Sequence, residues 1–359
     1  MSVDVYWTLP VAVDPQGPHR PLADGVTDLR PGRLGDIDRQ VRVARAAEAA
    51  GFAGLLVPYD PDGDESFVLA TALAREVPRL RLVPEVQPGF ATAVYTAKLA
   101  LTFQRFFADR LAWKPVLRTD DARQRAVGDT ATTPAERVAR ADELLEVIAG
   151  VWRGAPFSYQ GAWFEVEDGG FFGGTAQAHL PRRPAPVVFL DGDDPAELDL
   201  SARHADVHLF DHAAPDEITS LIERHRSVAA GYGRSVRYGV RLSVLAREDT
   251  AEAERDAVRL AERGRPGDGG RGVPGVPGVS GVPGASVVPG VPGAPGVDVV
   301  ASFDDLAREL GRFVAAGASV LVLSAPDPVG DAYRLGEFVL HQIDHLDHQP
   351  GAVPEEVPA

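Results

Sequence analysis

The chain has no cysteine in 359 residues. That excludes disulfides, a thiolate nucleophile and any Cys-ligated metal, and the redox state of the compartment places no constraint on the fold. Positive charge is scarce as well: 36 Lys and Arg stand against 52 Asp and Glu, a formal net charge of −16. Such a chain repels polyanions, which argues against nucleic acid and anionic membranes as partners. A phosphate or sulfonate site would have to be built against the overall field. No apolar run reaches the ~20 residues that cross a bilayer. Met1-Ser2-Val3-Asp4-Val5 lacks the basic-then-apolar order of a secretory signal. The expectation is a soluble, cytoplasmic protein.

Apolar residues make up 45% of the chain, enough for a substantial core. They fall into short runs alternating with longer segments of 3.6 period, the pattern of repeated βα units. Strands are expected at 3–9, 54–57, 80–86, 111–117, 186–190, 206–210, 236–246 and 319–324. Helices are expected at 34–50, 66–75, 92–107, 134–152, 195–204, 215–230, 250–263, 303–316 and 331–346. A hairpin is expected at 157–166, turning at Tyr159-Gln160-Gly161. Eight strands with intervening helices point to a closed (β/α)₈ TIM barrel. No Gly-x-Gly-x-x-Gly follows the first strand, which counts against an open dinucleotide-binding sheet.

Residues 264–296 break the pattern with five Val-Pro-Gly triplets and glycine at nearly every third position. A collagen-like helix needs that spacing, but the run is short and interrupted, so the expectation is a flexible insert of Pro-Gly turns. The domain assignment is one barrel from residues 1–263 and 297–346, the insert, and a disordered tail at 347–359.

Certain segments, in order, resemble the luciferase-like flavin monooxygenases, and among them the alkanesulfonate monooxygenases. They are Tyr6-Trp7-Thr8-Leu9-Pro10, Ala49 to Pro58, Val236 to Leu242, Ala316 to Ser324 and Ala332-Tyr333-Arg334-Leu335-Gly336-Glu337. The resemblance implies reduced FMN supplied by a separate flavin reductase, O₂, and a small, sulfonate-like substrate. It places cofactor contacts at Trp7, Lys114, Arg118, Gly192 and Ser324, and catalytic groups at Arg241 and Ser243, which period-two alternation puts on one face.

The chain departs from the family's pattern at several of these places. The family receives the FMN phosphate after the fifth barrel strand with small residues opening a helix. Here that turn reads Leu190-Asp191-Gly192-Asp193-Asp194-Pro195, and its carboxylates are expected to repel a dianion unless Lys114 or Arg203 neutralises them. The fourth strand ends Lys114-Pro115-Val116-Leu117-Arg118, with a proline that removes a backbone donor. Ser243 stands where a histidine is expected, Pro326 for a tyrosine and Gly63 for a cysteine. Arg241 reads equally as a substrate-binding arginine or as a structural one paired with a carboxylate.

Two other patterns read as structural. Asp60-Pro61-Asp62-Gly63-Asp64-Glu65 lacks the glycine and final glutamate of a calcium loop. His341, His345 and His348 lie on a polar helix face. Two functions stay open: an FMN-dependent monooxygenase with a rewired site, and a catalytically silent member serving as partner subunit of an active paralogue in a hetero-oligomer. A deazaflavin-dependent relative would still need a phosphate site.

Overall fold

The computed structural model describes residues 3–10, 36–61, 63–119, 121–131, 133–154, 156–170, 183–211, 214–263 and 297–346. The insert at 264–296 and the tail at 347–359 lie outside them.

Short β-rich runs become strands because each is buried on both faces. They are β1 (Asp4–Thr8), β2 (Gly54–Val57), β3 (Arg81–Val86), β4 (Ala112–Pro115), β7 (Val187–Asp191), β8 (Val207–Asp211), β9 (Arg237–Arg247) and β11 (Val320–Ser324). All pair in parallel in that order, and β11 returns to pair with β1, Asp4 opposite Val320. The eight strands close a (β/α)₈ barrel. Between β4 and β7 an antiparallel hairpin, β5 (Phe157–Gln160) with β6 (Glu165–Gly169), stands apart from the barrel. A short β10 (Val299–Ser302) adds to the far end of β9.

Alternation sorts each strand's side chains. Tyr6, Leu56, Val83, Ala112, Phe189, Val207, Leu209, Val320 and Val322 form one cluster, the packed interior. Their odd-even partners Trp7, Leu55, Val57, Leu82 and Leu321 join the larger layer between barrel and helices. The interior has no spare volume: a Cβ on Gly54 would lie 2.4 Å from the Tyr6 ring, whose edge meets Phe189 at 5.4 Å.

The surrounding helices are α1 (Asp36–Ala49), α2 (Ser66–Glu76), α3 (Ala93–Phe106), α4 (Asp121–Ala126), α5 (Pro134–Trp152), α6 (Pro195–His204), α7 (Pro215–Gly231), α8 (Thr250–Arg263) and α9 (Phe303–Ala315). A closing segment, Gly330–Leu346, has a π-helical turn at Gly336–Leu340. Starts are capped as their residues direct: Thr133 and Glu136 form a reciprocal box with Pro134 in the first turn, and Ser302 accepts from Asp305 N. At the N-terminal end of the barrel, Arg110 donates to the carbonyls of Ala74, Val77, Leu80 and Phe107 at 2.5–3.0 Å. It thereby satisfies the end of α2, which has no later turn to receive it.

His208 on β8 points away from the interior and stacks on His225 of α7, centroids 4.4 Å apart. Its Nδ1 lies 2.8 Å from the Ser201 hydroxyl, and His225 Nδ1 lies 3.3 Å from the Tyr238 hydroxyl. Burial pushes His208 down to about 3, with His225 adding to the effect.

One sequence expectation is corrected. The hairpin turns at 161–164, after the expected position, because the Glu143 carboxylate accepts from the backbone of Ala162, Trp163 and Phe164 at 2.8–3.0 Å and holds the turn there. Tyr159 and Gln160 are strand residues. Helix α4 and strand β10 were not anticipated, since each is too short to show a period.

Candidate functional site

The C-terminal strand ends of such a barrel are where catalytic groups gather, and here the interior-facing positions turn from apolar to polar. Two residues beyond Val83 is Glu85, and the same step leads from Ala112 to Lys114, from Phe189 to Asp191, from Leu209 to Asp211 and from Gly239 to Arg241. Arg241 Nε and Nη2 meet the two oxygens of Asp211 at 2.8 and 2.9 Å. Nη2 also donates to Asp191 Oδ2 at 2.7 Å, and Nη1 stands 3.5 Å from Glu85. Lys114 Nζ lies 2.8 Å from Asp191 and 3.1 Å from Glu85. The second Glu85 oxygen accepts from Tyr59 N at 3.0 Å.

Five charges thus form one network, three carboxylates against two cations. Burial alone would raise Asp191, but Lys114 and Arg241 override it and hold its carboxyl well below the usual range. Burial would lower Lys114, and Asp191 and Glu85 override that too, so its pKa is raised. Arg241 is raised by Asp211, Asp191 and Glu85 in the same way. Lys114 is therefore a protonated ammonium at neutral pH and neither a base nor a nucleophile.

Beside the charged arc lies a row of hydroxyls. Ser324 is opposite Ser243 in register, and Thr8 follows one residue after the Trp7–Leu323 pair. The Thr8 hydroxyl is buried and, among the described residues, has no hydrogen-bond partner. The Ser243 backbone is clamped by Asp298, through Ser243 N to Oδ2 at 2.7 Å and Asp298 N to Ser243 O at 2.8 Å. An open cleft of about 420 Å³ lies between the hairpin and the start of α3, lined by Thr92, Val94, Trp163 and Phe164 among others.

The turn after β7 is built differently from what its acidic sequence suggests. Gly192 has φ +119°, a conformation open to glycine. A Cβ there would lie 2.3 Å from Glu197 Oε2. Glu197, in the first turn of α6, reaches back into the turn. Its Oε2 accepts from Asp193 N at 3.2 Å and Asp194 N at 3.3 Å. Arg118 grips it with Nε at 2.9 Å and Nη2 at 2.5 Å, and also pairs with Asp193. Glu197 is 4% exposed.

The residues singled out from sequence therefore separate. Arg241, Ser243, Lys114 and Ser324 meet at the mouth, and Gly192 and Arg118 at the turn. Trp7 is fully buried in the strand–helix layer, with Nε1 donating to Pro328 O at 3.0 Å, and gives no face to the interior. Neither Lys114 nor Arg118 is free for an anion: each is committed to carboxylates of the protein. Of the carboxylates expected to repel a dianion, Asp191 is paired with Lys114, as the sequence allowed, and Asp193 with Arg118, while Arg203 turns to Asp142 and Asp199. Besides these charges, a flavin phosphate meets an occupied turn. Glu197 takes the two backbone donors and the room beside Gly192, and the phosphate of FMN does not fit the turn as it stands.

Glu85, Asp211, Thr8 and Glu197 were not anticipated. An acid inside the run Leu82-Val83-Pro84-Glu85-Val86 was one available signal. The Asp194-x-x-Glu197 spacing of a capping box was another.

A closed parallel barrel with its polar groups gathered at the C-terminal mouth has the architecture of a barrel enzyme. The sequence profile of the luciferase-like monooxygenases matches residues 14–271, and the chain belongs to that family. Its fold is similar to that of an EDTA monooxygenase from Chelativorans sp. BNC1, at 15% identity and TM-score 0.71, covering 98% of this chain and 95% of that one. It is also similar to a riboflavin lyase solved with modified FMN and riboflavin, at 15% identity and TM-score 0.70, covering 96% and 92%. A long-chain alkane monooxygenase matches at 16% and 0.68, covering 97% and 91%. Among the described residues no helix is long and apolar enough to cross a membrane.

Proposed function

We propose that this chain is a catalytically silent luciferase-like barrel that serves as partner subunit of an active paralogue. The observation that carries this reading is the commitment of both interior cations: Lys114 and Arg241 are neutralised by Glu85, Asp191 and Asp211. Flavin-dependent oxygenation would need donors aimed where negative charge develops, and donors already saturated by carboxylates stabilise nothing further. An anionic, sulfonate-like substrate would meet a network that, among the described residues, has one carboxylate in surplus. The test supplies reduced FMN from a flavin reductase, O₂ and a series of alkanesulfonates, and measures sulfite release. No turnover is expected alone, and a heterodimer is expected on mixing with a complete family member encoded beside it. Turnover by the isolated chain would overturn the reading.

One observation favours a second reading, an oxidoreductase with a rewired site. The Thr8 hydroxyl, without a partner among the described residues and in a row with Ser243 and Ser324, offers hydrogen bonds to something polar. The substrate of such an enzyme would be neutral or cationic rather than sulfonate-like, and it would show as turnover confined to uncharged or amine-bearing compounds. In that case a reduced flavin together with O₂ would supply the oxygenating chemistry, and the flavin would have to be held without the family's phosphate contacts.

A further inference from the structure

Three helix starts in this barrel carry a glutamate at the third position whose side chain reaches back to the preceding backbone. Glu136 does so at α5, and Glu217 does so weakly at α7, its oxygen 3.5 Å from Ala214 N. Both side chains take part in exposed hydrogen bonds at the surface, as ordinary caps do. Glu197 differs in four respects. It is buried. It accepts from two successive backbone N–H groups, those of Asp193 and Asp194. It is held by an arginine through two nitrogens. And it lies against Gly192, whose left-handed backbone leaves no space for a side chain beside it. Adjacent N–H groups, a helix start, a glycine and a guanidinium together make a cradle for a tetrahedral oxyanion. A capping role explains the contact with Asp194 N. It does not explain the arginine, the second N–H or the glycine.

We infer that the turn from Asp191 to Pro195 is an oxyanion cradle closed by the chain's own Glu197, which stands in for a phosphate and excludes one. Removing that carboxylate opens the turn to an external phosphate monoester, with Arg118, which it would share with Asp193, as its counter-charge. The inference deepens the preceding proposal and rests on it for its biological sense, but binding of phosphate is read without any turnover, so the two stand or fall separately.

The test is equilibrium titration of the full-length chain with oxidised FMN, riboflavin and inorganic phosphate. Calorimetry and flavin fluorescence are the readouts. The phosphate-free riboflavin reports what the rest of the barrel contributes. The native protein is expected to bind FMN no more tightly than riboflavin. Glu197→Ala is expected to prefer FMN by at least about tenfold, and to bind inorganic phosphate competitively with it. Glu197→Gln, which fills the same space, is expected to behave as native. Glu197→Asp keeps a charge at the start of α6 but is a methylene too short to lie against Gly192, and an intermediate preference is expected. In the Glu197→Ala, Arg118→Ala double variant the gain should vanish. A native protein that already prefers FMN over riboflavin tenfold overturns the inference whether or not any variant folds. So does a folded Glu197→Ala, by circular dichroism, that gains nothing.

Discussion

Arg241 and Asp211 face each other across β8 and β9 as a two-point ion pair, Nε to Oδ1 at 2.8 Å and Nη2 to Oδ2 at 2.9 Å, at directly opposed positions of the ladder. The same guanidinium reaches Asp191 and Glu85, so one side chain balances three carboxylates. Replacing it by methionine leaves Glu85 and Asp191 to Lys114 alone and takes from Asp211 its ion-pair partner. Breaking a buried pair from one side costs on the order of 3–5 kcal/mol, and that loss is the expected outcome for Arg241→Met by urea unfolding. Adding Asp211→Asn should restore part of it. A loss under about 1 kcal/mol would show that the network relaxes into water.

Acid should loosen the protein before ordinary carboxylates titrate. His208 has an ordinary value of 6.5 and is held near 3 by burial in the fold. Between those values the unfolded chain binds a proton that the folded chain refuses, so stability falls as pH is lowered from about 6.5. The slope is up to ~1.4 kcal/mol per pH unit. Asp191, depressed in the fold, adds loss of the same sign only below about pH 4. His208→Asn keeps an oxygen near the Ser201 hydroxyl and removes the titrating ring. Its unfolding free energy should change less between pH 7 and pH 5 than that of the native chain. Equal slopes would assign the effect elsewhere.

At the opposite end of the barrel, Arg110→Met should cost about 2–4 kcal/mol, because four carbonyls lose a charge-assisted donor at once. Residues on this face of a barrel act on stability. Affinity for any ligand at the mouth should therefore stay within twofold of native, and a larger change would tie the two ends together.

Gly192→Ala probes the turn from the backbone side. The added methyl meets both a positive φ and the Glu197 carboxylate, and about 1–3 kcal/mol of destabilisation is expected. Only the second of these obstacles disappears in a Glu197→Ala background. The double-mutant cycle should therefore show a coupling of roughly 0.5 kcal/mol or more. Additive effects would mean that the carboxylate yields freely.

The barrel was legible in the sequence because its strands are buried on both faces and its helices keep a strict period. The fifth barrel strand, expected at 186–190, spans Val187–Asp191, and the seventh, expected at 236–246, spans Arg237–Arg247. The inward direction of Arg241 and Ser243 follows from alternation alone. What the sequence could not show is which charges meet. Lys114 looked available to an anion because its partners Glu85 and Asp191 lie on other strands, 29 and 77 positions away. Asp211 looked like a loop residue because it follows the last apolar residue of its strand. Glu197 was hidden for the opposite reason: its capping spacing is so ordinary that the arginine and glycine around it, both visible in the sequence, were not connected to it.

The seam that closes the barrel has a consequence for how the chain comes into being. Trp7 and Pro328, joined across it, are 321 residues apart, so β1 waits for its partner until that whole stretch has been synthesised. At roughly 5–20 residues per second that is a delay of roughly a quarter of a minute to a minute. Throughout it, one side of β1 offers unsatisfied backbone groups to any other extended segment. A nascent chain in this state is a natural client for a chaperone, and slower translation would lengthen its exposure.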